Sequence, residues 1–366
     1  MKVLEIDRKD LKYNLEKVKK IIKENGNKTK IIAVVKGNGM GLDLVKYSKF
    51  LVNNGITCLA VANLNEAIKL RNAKITEEIL MLTPISDKKE LQLLIKNDIT
   101  LTVQNLNELQ TIENILENLK LKAKAHVKID TGMGRYGFVY TNKNEILEFY
   151  KKCNLLNIEG IYTHFSQPKD ENWTNEQFNR FLDVIAFLKK NNIEPGILHC
   201  SASTAFLKYK YMHLNAVRLG SVLQGRTLVM KSEFRKIGKL KTSITEIKTL
   251  PKGYNISYGN NYKLKKQTKI AIIPVGYMDG LNLGKLRDDF SLKNNILAVL
   301  IEFKKIFKDN KLKVIINEKT YNIIGRIGMY HSIIDITESK DIKVGDEVFL
   351  NVHPLQTEEG IRREYK

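Results

Sequence analysis

Residues 31–43 read IIAVVKGNGMGLD, an apolar run that stops at Lys36 and gives way to glycines at 37, 39 and 41. A strand that breaks into glycines ahead of a helix opens a βα unit, and the tip of such a strand is where these units carry chemistry. The spacing is G-x-G-x-G rather than the G-x-G-x-x-G of a dinucleotide site. The second strand, which runs into VANLNE, has no ribose-binding acid directly at its tip. Because the lysine precedes the glycines, a Walker A loop is excluded as well. Lys36 is left as a turn residue, a phosphate ligand or a nucleophile at a cavity mouth.

Working outward, seven further strand-length runs follow: CLAVA (58–62), ILML (79–82), ITLTV (99–103), AHVKI (125–129), IEGIYTH (158–164), GILHC (196–200) and NAVRL (215–219). Segments with apolar residues at helical spacing separate them, among them NLNEAIKLRNA, NLNELQTIENILENL and NEQFNRFLDVIAFLKKN. Eight strands alternating with helices predict an α/β fold with an N-terminal (β/α)8 TIM-like barrel, a doubly wound open sheet being the alternative. From about residue 235 the period changes to that of strands, in LKTSITEIKTL, TKIAIIPVGY, LKVIINEKTYNIIG and SIIDI. The expected organisation is a barrel over 8–232 and a C-terminal mostly-β domain over 233–366, joined by the N-terminal strand 1–7.

The net charge of +21 raises nucleic-acid binding, but 50 lysines against 11 arginines, spread along the chain, resemble a compositional bias rather than a binding patch. No nucleic-acid partner is expected. The charged N-terminus MKVLEIDRKDLKYNLEKVKKII has neither a signal peptide's apolar stretch nor a membrane span, so the expected location is cytoplasmic, without a membrane partner. Cys58, Cys153 and Cys200 are too few and too scattered for a disulfide framework or a zinc site; no metal is expected.

In such a barrel the residues just after each strand are the ones to inspect. Lys36 ends the first; Lys128, Asp130 and Arg135 flank the end of the fifth; His164 ends the sixth; Ser201 and Ser203 follow the seventh; Arg218 ends the eighth. Each has a bland reading as a turn, salt bridge or hydrogen-bonded structural residue, but on one rim they converge. The loops HCSAST and RLGS offer hydroxyls and backbone N–H groups suited to a phosphate.

The motifs VVKGNGMG, HVKIDTGMGRYGF, IYTHFS, LHCSAST, AVRLGS, ISYGNNY, IPVGYMDG, GRIGM and the terminal RREY, taken together, resemble the alanine racemases, fold-type III enzymes that use pyridoxal 5′-phosphate. The resemblance runs through nearly the whole chain. It implies that Lys36 forms the Schiff base with the cofactor and that Tyr258 is the second base, reaching the site from the partner subunit of a homodimer. It places Arg218 at the pyridine nitrogen and His164 against the cofactor, with Ser203, Gly220, Ser221 and Tyr365 at the phosphate. Arg135 and the backbone of Met329 fall where the family holds the substrate carboxylate. Lys128 stands at a position often carbamylated to steady that arginine, and Tyr277, in IPVGYMDG, joins it as a supporting residue. The implied reaction, interconversion of L- and D-alanine by two bases on opposite faces of a flat adduct, suits these residue types.

The sequence departs from the family pattern at Met40, where a phosphate-binding tyrosine is usual, at Tyr330 and His331, which replace Asp-Gln, at Pro168 and Lys169, and at Leu283. These changes leave open a racemase of serine, of a basic amino acid or of broad spectrum. A non-catalytic pyridoxal phosphate-binding protein on the barrel alone lacks the C-terminal domain and Tyr258 present here. A decarboxylase of the same fold type would carry acidic or cysteine-centred motifs that are not found.

Overall fold

The computed structural model describes residues 1–26, 28–283, 292–306 and 311–366, which form two compact units, Arg8–Ile237 and Met1–Asp7 with Gly238–Lys366.

In the first unit the eight expected strands are all present: β1 (Lys30–Val34), β2 (Cys58–Val61), β3 (Glu78–Met81), β4 (Leu101–Val103), β5 (Ala123–Asp130), β6 (Leu156–Tyr162), β7 (Ile197–Ala202) and β8 (Ala216–Leu219). They pair in parallel in the order β3-β2-β1-β8-β7-β6-β5-β4. A parallel bridge between Leu80 and Thr100 then brings the two edges together. There the Met81 N–H donates to the Thr100 carbonyl, and the Thr100 N–H to that of Ile79, both at 2.9 Å. An open doubly wound sheet would leave those edges apart, so the barrel reading holds.

Sequence chemistry starts the helices between the strands. Asn63, Asp87, Asn105 and Asp170 each cap a helix, accepting from N–H groups two or three residues on. Such a cap is worth about 1 kcal/mol. Inside the barrel the strand alternation separates two chemistries. Ile32, Cys58, Ala60, Leu80 and Ala216 pack into an apolar cluster, whereas Thr102, His126, Lys128, Tyr162, His199 and Arg218 are buried polar or amphipathic side chains of β4 to β8. That polar half carries the site.

The second unit is a nine-stranded sheet in which all neighbours are antiparallel except the last pair, where the N-terminal strand Val3–Ile6 lies parallel to Arg362–Tyr365. Leu240, Ala271, Ile273, Val314, Ile334 and Val348 centre its core. A helix, Leu292–Ile306, interrupts this otherwise strand-rich third. Its Leu292, Ile296, Val299 and Phe303 are exposed.

Candidate active site

Beyond β1 the backbone does something unusual. Gly37, Asn38, Gly39, Met40 and Gly41 all have positive φ, between 53° and 84°. They wind one left-handed turn, in which the Gly39 N–H donates to Val35 and the Gly41 N–H to Gly37, both at 2.8 Å. L-residues resist this hand by about 1–2 kcal/mol each, and the three glycines spare most of that cost. Asn38 anchors the turn from both sides: its N–H donates to Glu66 at 3.0 Å and its side-chain oxygen accepts from the Leu44 N–H at 3.0 Å. The turn sets Lys36 at its head, on the wall of a cavity of about 460 Å³.

Lys128, Arg135, His164, Ser203, Arg218, Gly220 and Ser221 line the same cavity, with no aspartate or glutamate among the lining residues. Burial, and then the neighbouring Arg135, lower the pKa of Lys36, with Glu66 opposing them. Lys128 is buried between the rings of Tyr136 and Tyr162, and desolvation with the arginines beside it brings its ammonium down to about 8. His164 is held to about 3 by burial and by Arg218, so it is neutral at ordinary pH.

Arg218 forms the floor. It donates to the carbonyls of Thr163 (2.6 Å), His199 (3.1 Å) and Cys200 (3.2 Å) and to ring nitrogens of His199 (2.7 Å) and His164 (3.3 Å), and its guanidinium stacks over Tyr162. Among the described residues no carboxylate pairs with it there. Elsewhere on the wall, Ser203 Oγ accepts from the N–H groups of Gly220 and Val222, both at 3.3 Å, so the loops after β7 and β8 meet at one hydroxyl.

The DTGMGRYG stretch is a loop folded around Asp130. Its carboxylate accepts from the N–H groups of Gly132, Met133, Gly134 and Arg135. Burial pushes its pKa up, and these four donors more than offset that, leaving it below the usual carboxylate range.

Two stretches of the chain match the families described as alanine racemase, N-terminal domain, over residues 6–227, and alanine racemase, C-terminal domain, over residues 237–361. The chain belongs to the alanine racemase family. It is 34% identical to an alanine racemase of Methanococcus maripaludis and 35% identical to one of Clostridium tetani, in each case over 94% of this chain and 87% and 84% of the relative. Its structure resembles the alanine racemase of Clostridium difficile 630, with TM-score 0.81 and 32% identity over 99% of this chain and 88% of that one. The Bacillus anthracis alanine racemase with bound L-Ala-P gives TM-score 0.76 at 27% identity, over 95% of this chain and 85% of that one. The enzyme class expected from sequence, an alanine racemase-like isomerase, therefore stands.

Of the twelve residues to which the resemblance gives a role, eight come together in the barrel cavity. The other four belong to the β-sheet unit. There Tyr258 stands on a short turn, 72% exposed, its hydroxyl without a hydrogen bond among the described residues. Tyr277 and Met329 lie on two loops zipped together, the Tyr277 N–H donating to Gly328 and the Met278 N–H to Met329, both at 3.1 Å. Tyr365 ends the strand beside Ile6. Ser201, expected after the seventh strand, lies within it and donates to the Met212 carbonyl instead. Of the departures from the family pattern, Met40 and Pro168 line the cavity.

Sequence reading missed Tyr162, His199 and His126. Tyr162 stacks on His199 at 4.8 Å and hydrogen-bonds Thr102 at 3.0 Å. The signal was a polar side chain at alternate positions inside an apolar strand, which periodicity alone does not distinguish from an outward-facing residue.

Proposed function

We propose that the chain is a pyridoxal 5′-phosphate-dependent racemase that interconverts L- and D-alanine by a two-base mechanism. The observation that carries this reading is the charge of the cavity: Lys36, Lys128, Arg135 and Arg218 line it without an acid. That set suits a ligand bearing both a phosphate and a carboxylate. Lys36 would hold the cofactor covalently, Ser203, Gly220 and Ser221 with Tyr365 would take its phosphate, and Arg218 would face its ring nitrogen with His164 alongside. Bound there, pyridoxal phosphate withdraws electrons from the amino acid's Cα and so acidifies its proton.

The chain's own part is to orient and to move protons. Lys36 takes or returns the Cα proton on one face and Tyr258 does so on the other, which inverts the centre. The lowered pKa of Lys36 favours the free amine a base requires. Arg218 keeps its proton at any working pH, so it orients the ring without protonating it and discourages side reactions such as transamination. Arg135 and the backbone of Met329 hold the carboxylate. A carbamate on Lys128 would give Arg135 a counter-charge, which no carboxylate lining the cavity supplies.

Tyr258, exposed on its own unit, acts in the cavity of a second copy, which makes the working form a homodimer. The barrel, 8–232, carries the cofactor, and the 233–366 domain with strand 1–7 carries Tyr258. Among the described residues no helix is long and apolar enough to cross a membrane; a cytoplasmic place without nucleic-acid partners fits the composition.

A second reading, a racemase of another amino acid, is favoured by Met40 and Pro168 on the cavity wall. Incubating the cofactor-loaded protein with a panel of L-amino acids, followed by chiral chromatography, separates the two. Inversion of alanine above all others supports the first reading, and preference for serine or a basic residue the second.

A further inference from the structure

Below the cavity, Arg218 leads to groups that the proposed reaction does not use. Its Nη1 donates to His199 Nδ1 at 2.7 Å, and His199 Nε2 lies 2.8 Å from His126 Nδ1. His126 Nε2 in turn faces Glu78 Oε1 at 3.9 Å, beyond direct hydrogen-bond reach, and both of these atoms are buried without a hydrogen-bond partner among the described residues. The two imidazoles are 1% and 0% exposed. The line runs from the C-terminal end of β8 through β7 and β5 to Glu78, the first residue of β3, at the opposite end of the barrel.

The strands are built around it. Between Ala125 and His126 the register of β5 against β6 shifts, and between Ala216 and Arg218 so does that of β8 against β7. Irregularities of this kind re-aim a side chain. Gly160 lies opposite His126, and a Cβ there would stand 2.7 Å from the Ile197 carbonyl oxygen, 2.9 Å from the ring's Cε1 and 3.0 Å from its Nδ1. Since Gly160 has no positive φ, what it supplies is room for that ring and for the Ile197 carbonyl beside it.

The proton positions follow from donor chemistry. A guanidinium only donates, so His199 Nδ1 accepts, and a neutral His199 carries its proton on Nε2. That proton points at His126 Nδ1, which therefore accepts, leaving the His126 proton on Nε2 and directed at Glu78. A second proton on either ring would set N–H against N–H. Burial and then Arg218 hold His126 to about 4 and His199 well below the usual imidazole range. Around Glu78 the other ionisable groups are Glu159, Cys58, Lys30 and Lys124.

We propose that Arg218, His199, His126 and Glu78 form a fixed polar chain through the barrel interior, in which Glu78 is a remote positioning residue for Arg218. Arginine does not release its proton, so the chain conducts none. It acts as an aligned series of dipoles, lone pairs toward Arg218 and N–H groups toward the carboxylate, that fixes the plane of the guanidinium at the cavity floor while leaving its charge unneutralised there. The consequence for catalysis rests on the racemase reading, in which Arg218 faces the cofactor ring; the chain itself does not.

The test is ¹⁵N-histidine NMR on the full chain without added cofactor. Expected in the unsubstituted protein are neutral, Nε2-protonated rings for both His126 and His199 from about pH 6 to 8. Arg218→Met should release that order, and Glu78→Gln, at the partly exposed far end, should keep it while moving the His126 Nε2 resonance. In the loaded protein Glu78→Gln should lower kcat about two- to thirty-fold at unchanged cofactor content. An Nδ1-protonated or doubly protonated ring at pH 7, tautomers indifferent to Arg218→Met, or an unmoved His126 resonance in Glu78→Gln would overturn the chain. An unchanged kcat would overturn the positioning role. Absence of racemisation in the unsubstituted protein would strike the functional reading alone, because the NMR result does not depend on it.

Discussion

Replacing Gly39 by alanine tests the left-handed turn that presents Lys36. At φ +67° any L-residue is strained by about 1–2 kcal/mol. The new Cβ would also stand 3.0 Å from both the N and Cα of Leu44, backbone atoms that cannot swing aside. Moving Leu44 lengthens its bond to Asn38, so overpacking adds about 1–3 kcal/mol, and the sum is about 2–5 kcal/mol. Gly55 is the control: it has φ +86° with nothing within 4 Å of a built Cβ, so Gly55→Ala should cost only the strain, about 1–2 kcal/mol. Trp173 is the sole tryptophan and lies in the barrel unit, donating from Nε1 to Ser166, so its fluorescence in urea reports that unit alone. Gly39→Ala should shift the transition further than Gly55→Ala and weaken cofactor uptake, which Gly55→Ala should leave intact. Equal shifts and equal uptake would refute the claim that the tight turn positions Lys36.

Other outcomes follow from the same site. Lys36→Ala should abolish the visible absorbance of lysine-bound pyridoxal phosphate, whereas Tyr258→Phe should keep it and lose about 10²- to 10⁴-fold in racemisation, read by circular dichroism of alanine. Asp130 has a folded-state pKa below its unfolded one, so its contribution is present above the unfolded value near ~3.9 and fades as pH falls through the folded one. The gap in urea midpoint between the parent and Asp130→Asn should therefore be open at neutral pH and close in acid. With Lys128 brought down to about 8, its free amine should take up labelled CO₂ as a carbamate seen by ¹³C NMR, and Lys128→Arg should lose that signal.

Much of the barrel could be read from the sequence because its strands are apolar runs ended by residues that do not belong in a core, such as Lys36, His164 and Arg218. Lys36, Lys128 and Arg135 were legible for the same reason: a cation at a strand tip is conspicuous. The glycines of KGNGMG announced a tight turn, but its hand was hidden, since Met40, unlike Asn38, is a residue type that rarely takes a positive φ. His126 and His199 were hidden differently, because inside AHVKI and GILHC a histidine looks the same whether it faces the barrel axis or the helices. The helix Leu292–Ile306 was obscured by its run of isoleucine, leucine and valine, which alone does not separate helix from strand.

The most direct measurement is chiral chromatography of L-alanine incubated in ²H₂O with the pyridoxal phosphate-loaded protein, beside its Lys36→Ala variant. D-alanine carrying deuterium at Cα, formed by the parent and not by the variant, is the predicted result. Unchanged L-alanine from a parent that has taken up the cofactor would contradict it.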